Sequence, residues 1–202
     1  MEQWKNYLQT HRVLVMLSIV WFGTSLFLFN RVLEYIQNEP GIPFNDPAFA
    51  LYQAKDLSLF IFILTYGSLI TFLVVNRKQP HHYILCLQAY GWMVVLRAIS
   101  VYLLPLAEPQ EAIPLNDPVL NTFFYPGGYS PRDLFFSGHT GTIMLFAYLT
   151  DSKTIKILLY VIALFTGFLL VLQKVHYSID VLAAPVLMVP VFAIIKAQRK
   201  IN

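Results

Sequence analysis

Six stretches of the chain are nearly uninterrupted runs of apolar residues: 13–29, 57–75, 83–106, about 134–150, 155–173 and 177–195. A helix needs about 20 residues to cross the hydrocarbon core, and about 17 to 25 suffice. Each run fits, the fourth least comfortably because polar residues open it. None shows the period-2 alternation of a membrane barrel strand, and in lipid only helices or closed barrels satisfy the backbone. The pattern therefore predicts an all-α integral membrane fold, a single six-transmembrane-helix bundle over 1–202. No small-residue cleavage site follows the first run ("FLFNRV"), so it reads as a retained anchor.

The connections between runs alternate in character. Those near 76–82 and 151–154 are short, which makes the spans they join antiparallel neighbours. Those at about 30–56 and 107–132 are long and rich in Pro, Gly and Asn; loops of that length are usually functional. Two Asn-Asp-Pro turns, in "IPFNDPAF" (42–49) and "NDPVL" (116–120), look alike without amounting to a repeat. Six spans put nine basic residues on the side of the termini (Lys5, Arg12, Arg77, Lys78, Lys153, Lys156, Lys196, Arg199, Lys200) and four opposite (Arg31, Lys55, Arg132, Lys174). The excess of Lys and Arg marks the cytoplasmic side, so both termini are expected there. Eight of the eleven acids fall on the other face.

Composition agrees. The 202 residues are 57% hydrophobic and 12% charged, with mean hydropathy +0.59. A soluble domain carries about 25% charged residues, so a soluble protein is excluded. The net charge is +3 and the single cysteine, Cys86, rules out an intrachain disulfide. Nothing suggests a nucleic-acid partner, a zinc site or a nucleotide loop, and no cofactor is implied.

Two polar islands interrupt the apolar sequence. "DLFFSGHTGT" (133–142) carries His139, and "KVHYSIDV" (174–181) carries His176 and Asp180; both belong to the extracytoplasmic face. The spacing of His176 and Asp180, four residues, stacks their side chains on one helical face. A carboxylate so placed accepts the Nδ1 proton and leaves Nε2 to attack or take a proton. Two histidines sharing a pocket suit phosphoryl transfer, one attacking phosphorus and the other protonating the departing oxygen. Gly138 and Gly141 let backbone N–H groups approach phosphate oxygens. The plainer alternative makes both histidines interfacial residues at headgroup depth. Asp180 weighs against it, because acids inside a membrane are costly and usually functional.

The two islands resemble the signature stretches of the sphingomyelin synthase branch of the type 2 phosphatidic acid phosphatase superfamily. The match runs through Asp133, Phe136, Ser137, Gly138, His139 and Thr140, then His176, Tyr177, Ile179, Asp180 and Val181; "RAISVYLLPL" (97–106) resembles the branch's third-span stretch. "IPFNDPAF" is a weaker counterpart of its proline–aspartate stretch. The resemblance implies His176 as nucleophile of a phosphohistidine, Asp180 as its orienting partner and His139 as acid/base. Ser137, Gly138 and Tyr177 go with the substrate. It also implies transfer of a phospho-headgroup from a phospholipid to a lipid alcohol of ceramide or diacylglycerol type. The superfamily's phosphatases use water instead. The chain lacks their lysine–six–arginine–proline motif and has Leu170 where they carry an arginine before the second histidine.

Phosphate charge must then be met otherwise. Arg97, inside the third run, is one candidate, since an arginine at mid-span costs at least ~2.5 kcal/mol and its fork suits a bidentate phosphate grip. A structural ion pair, with Asp180 for example, is the alternative. Lys174 is a second candidate, or else an interfacial lysine that snorkels. Asp133 has two readings: a selector of cationic headgroups on a loop, or the third residue of a capping box "SPRD" (130–133) in a helix starting at Pro131. His81 and His82, on the inner loop with Arg77 and Lys78, read as contacts for anionic lipid headgroups. Trp4, Tyr7, Tyr83, Tyr125 and Tyr129 read as interfacial belt residues. Glu34, Glu39 and Asp46 read as solvating the first outer loop.

The partners expected are the bilayer, a phospholipid donor, and a lipid alcohol or water as acceptor. Small size, short termini and the lack of a glycosylation acceptor fit a bacterial inner membrane with the site facing the periplasm or exterior. Two rivals come from other classes. A non-catalytic lipid-binding or transporter-like bundle needs no matched histidines. A proton relay needs polar residues continuing toward the cytoplasm, which the sequence does not supply.

Overall fold

The computed structural model describes residues 2–115 and 130–199. "NDPVL", Asp117, Tyr125, Tyr129 and Lys200 lie outside the described residues. Among the described residues there are seven α-helices: α1 (Glu2–Thr10), α2 (Arg12–Gln37), α3 (Ser58–Val75), α4 (Pro80–Leu103), α5 (Gly138–Leu149), α6 (Lys153–Leu172) and α7 (Ser178–Gln198). A 3-10 turn at Pro47–Leu51 interrupts the first long loop. No strand occurs among the described residues, only a single parallel bridge between Ile42 and Leu106.

Among the described residues five helices, α2, α3, α4, α6 and α7, are long and apolar enough to cross a membrane. Their outward faces are apolar and exposed, as at Met16 and Val20 of α2, Phe60 and Ile63 of α3, Leu164 and Phe168 of α6 and Val186 of α7. So much exposed apolar surface marks an integral membrane protein.

The fourth apolar run departs from expectation. Its helix spans 12 residues, Gly138–Leu149, or about 18 Å at 1.5 Å per residue, short of a core about 30 Å thick. The cause is local: Ser137 caps the helix, its hydroxyl accepting from the Thr140 N–H, so 130–137 stay irregular. Backbone of that kind is tolerated at membrane depth only when buried in protein, and α5 is so placed. It packs against α3, α4, α6 and α7, with every residue except His139 and Tyr148 buried. A core of Phe72, Met93, Ile143, Leu145, Leu159 and Met188 surrounds it. α2 lies outside this ring, against α4.

Contacts define two ends of the bundle. At one, Trp4 Nε1 donates to the Arg77 carbonyl at 2.8 Å, Arg199 Nη2 donates to the Leu149 carbonyl, and His82 faces Asp151 at 3.2 Å. His81 and His82 therefore belong to the first turn of α4 rather than to a loop, and His82 is buried. At the other end the long loops fold over the helix termini. The Asp46 carboxylate accepts from the backbone N–H groups of Ala48 and Ser178. Asp46 thus caps the 3-10 turn and the start of α7 and is only 4% exposed, which corrects its reading as a solvating residue. Glu34 and Glu39 are exposed.

Gln173, fully buried at the end of α6, joins three segments. Its amide oxygen accepts from the Leu57 N–H, and its nitrogen donates to Ser58 Oγ and the Ile113 carbonyl. Gln173→Ala strands the Leu57 N–H and the Ile113 carbonyl. The expected loss is about 1 to 3 kcal/mol for each buried group left unsatisfied, read as a lower Tm of the detergent-solubilised protein.

Candidate active site

The His176–Asp180 pair sits where α6 turns into α7. The turn closes as a Schellman motif: Val175 N–H bonds to the Leu170 carbonyl and Lys174 N–H to that of Val171. Lys174 holds the left-handed position that glycine normally takes, with φ 57°, a conformation costing about 1 to 2 kcal/mol for a residue with a side chain. Its ammonium explains the choice. It pairs with Glu111 at 2.7 Å and lies over the rings of Phe49 and Tyr52 at 5.5 and 5.7 Å. The same pairing holds the Glu111 carboxyl below the usual carboxylate range.

Two residues later His176 meets Asp180, with Nδ1 3.3 Å from Oδ2. The same oxygen accepts from the Tyr177 N–H at 2.9 Å. A carboxylate at N3 of α7 thus serves the helix N-terminus and the imidazole together. Asp180 has no exposure to solvent, and its Oδ1 has no hydrogen-bond partner among the described residues. The Asp180 carbonyl accepts from the Ser137 N–H at 3.1 Å. That bond ties the start of α7 to the start of α5, where His139 stands.

Arg97 reaches the same place from α4. Its Nε donates to the Phe136 carbonyl at 3.1 Å and its Nη2 pairs with Asp133 at 2.5 Å. Both side chains are under a tenth exposed. The partner is therefore Asp133, not Asp180. The helix begins at Gly138 rather than Pro131, so Asp133 lies on a buried loop and the capping-box reading is overturned. Ser130, the supposed cap, accepts from Gln37 through its hydroxyl. Gly138 is where the guanidinium passes: a Cβ there would sit 2.4 Å from Arg97 Nη1.

Arg97, Asp133, Gly138, His139 and His176 line one end of a cavity of about 520 Å³, within the usual size of small-molecule sites. Three expected site residues lie behind the wall. Ser137 is buried as the cap of α5. Lys174 is committed to Glu111. Tyr177 donates its hydroxyl to the Ala107 carbonyl at 2.9 Å and stacks on Phe49. The cavity also draws on residues the motifs do not contain, among them Tyr90, whose hydroxyl lies 3.2 Å from Thr142 Oγ1. Tyr90 stands seven residues before Arg97, a helical spacing that gives the one sequence signal for it.

Removing either member of the Arg97–Asp133 pair leaves a buried charge behind. Asp133→Asn or Arg97→Met is expected to cost about 3 to 5 kcal/mol each. The double variant Arg97→Met/Asp133→Leu is expected to be more stable than either single one. Urea or thermal unfolding in detergent micelles checks this.

Residues 132–197 match the family model described as PAP2 superfamily, C-terminal. Comparison with curated proteins and with solved structures gave no match. The matched segment is 66 of the 202 residues and contains both histidine islands, α5, α6 and nearly all of α7. The match supports the type 2 phosphatidic acid phosphatase superfamily, and with it lipid phosphatase or phosphotransferase chemistry.

Proposed function

We propose that the protein is a membrane lipid phosphotransferase that moves a phospho-headgroup from a phospholipid to a lipid alcohol through a phosphohistidine, on the extracytoplasmic face. One observation carries the reading. A His176–Asp180 dyad, His139 and Arg97 converge at the polar end of a cavity whose remaining walls are mainly apolar.

His176 Nδ1 donates to Asp180, which leaves Nε2 to attack phosphorus. The bond from phosphorus to the diacylglycerol oxygen breaks as the bond to nitrogen forms, and His139 supplies the proton that the departing oxygen takes. In the second half His139 removes a proton from the acceptor hydroxyl, whose oxygen displaces His176 from phosphorus. Arg97 faces the phosphate oxygens, a task its fixed fork suits. Asp133 orients and neutralises that arginine, a role its pairing favours over headgroup selection. The sphingomyelin synthase-like branch fits the motifs, with ceramide or diacylglycerol as acceptor.

The surroundings support a lipid rather than a soluble substrate. α2 and α3 both contribute apolar wall to the cavity, through Phe22 and Leu26 on one side and Tyr66 and Leu69 on the other. Hydrolysis is the second reading, with water taking the acceptor's place in an otherwise identical sequence of steps. The apolar walls, which discourage water, favour transfer.

The test uses purified protein in mixed micelles with headgroup-labelled phospholipids, with and without ceramide or diacylglycerol. Labelled lipid product that requires the acceptor is expected. His176→Ala should abolish it, and Asp180→Asn should lower kcat by about 10²- to 10⁴-fold. Labelled phosphate or phosphoalcohol released equally without acceptor would replace the synthase by a phosphatase or phospholipase. Turnover no greater than that of His176→Ala would end the enzymatic reading.

A further inference from the structure

The cavity extends far beyond the chemistry. Tyr83, Tyr90 and Arg97 of α4 all line it, and their seven-residue spacing keeps them on one face of the helix. From Arg97 to Tyr83 is 14 residues, or about 21 Å at 1.5 Å per residue. Half of a hydrocarbon core about 30 Å thick is only ~15 Å, so the lining extends over more than the depth of one leaflet's hydrocarbon. Below Tyr90 its walls are almost wholly apolar: Leu69, Phe72, Leu73, Cys86, Leu87 and Phe146.

The far end has aromatic structure of its own. Tyr83 lines it, and its hydroxyl donates to the Leu73 carbonyl near the end of α3. Its ring lies 5.9 Å from that of Phe72, which in turn stacks on Phe146 at 5.2 Å. From outside, Trp4 packs its edge against Tyr83 at 4.8 Å while its Nε1 bonds to the Arg77 carbonyl. The short amphipathic α1 thus braces the ring that forms the floor. Such a buttress has no part in holding phosphate.

We infer that the apolar arm of the cavity holds one acyl chain of the membrane lipid substrate, and that Tyr83, braced by Trp4, sets the longest chain accepted. The inference rests on the lipid reading above. Its occupant follows from three features: continuity with the phosphate-facing end, the apolar lining below Tyr90, and the length. A carbon chain of about 1.5 Å bonds advances ~1.3 Å per methylene when extended, so ~21 Å holds at most roughly sixteen chain atoms, the glycerol and ester linkage included. Tyr83 is a specificity-determining residue on this view, remote from the reacting atoms.

The experiment compares kcat/KM across donors that differ only in acyl length, from about twelve to twenty-two carbons, for wild type, Tyr83→Phe, Tyr83→Ala and Leu69→Trp. Tyr83→Ala is expected to improve the ratio of twenty-carbon to sixteen-carbon donors by roughly tenfold, the scale of a reshaped apolar pocket. Tyr83→Phe keeps the ring and should leave the ratio within about twofold. Leu69→Trp narrows the arm midway and should shift preference toward shorter chains, a gain that a generally damaged protein would not show. A parallel readout needs no turnover: mass spectrometry of lipid retained by the purified proteins, whose chain lengths should shift in the same directions. Profiles unchanged in both Tyr83→Ala and Leu69→Trp would overturn the inference. A shift in retained chains without turnover of any lipid by the wild type would sustain the acyl-chain site and remove the proposed chemistry.

Discussion

One carboxylate organises both halves of the candidate site. Asp180 is completely buried, and an ionised group in that position is costly unless hydrogen bonds compensate it. Compensation comes from the Tyr177 N–H and the His176 ring, and its backbone carbonyl takes the Ser137 N–H. The first bond starts α7, the second fixes the imidazole, and the third sets where α5 begins. His139 and His176 are 37 residues apart in sequence, and this residue ties together the segments that bear them.

The loops serve the same end. Asp46 reaches from the first long loop to the N-terminus of α7, while Gln173 and Lys174 bind the second long loop and the start of α3 to the end of α6. A glycine at position 174 would relieve the backbone and forfeit the ammonium that Glu111, Phe49 and Tyr52 hold. Strain of about 1 to 2 kcal/mol is thereby accepted two residues from His176. Irregular backbone crowds this end because it is enclosed by protein, the one setting in which a membrane allows it.

How much of this was legible in the sequence depends on the range of the interaction. Apolar runs located five long helices to within a few residues except at the C-terminal end of α2, which runs on to Gln37. Local spacing pointed to the His176–Asp180 contact for a reason that differs in detail: His176 lies just before α7, and Asp180 at N3 reaches back past the N-cap to meet it. The fourth run misled: "LFF" at 134–136 has the apolarity of a span, yet the cap at Ser137 and burial on all sides make it a loop leading into a short central helix. The Arg97–Asp133 pair joins residues 36 apart and depends on Gly138 having no side chain. Neither fact has a local pattern. Asp46 looked like an ordinary Asn-Asp-Pro turn, since its acceptor role depends on a helix 132 residues away. Tyr177 and Lys174 stand beside the site and outside the cavity lining, one bonded to the Ala107 carbonyl and the other paired with Glu111.

The central claim is that His176 takes the phosphoryl group onto its ring nitrogen. The most direct measurement mixes the protein with phosphorus-labelled phospholipid, stops the reaction in base within a turnover, and maps the label on the denatured chain. The expected result is a base-stable, acid-labile label on the peptide bearing His176, absent from His176→Ala and lost when acceptor is added before the stop. Turnover with no label on the protein at any time would contradict it, since headgroup transfer would then pass directly from donor to acceptor.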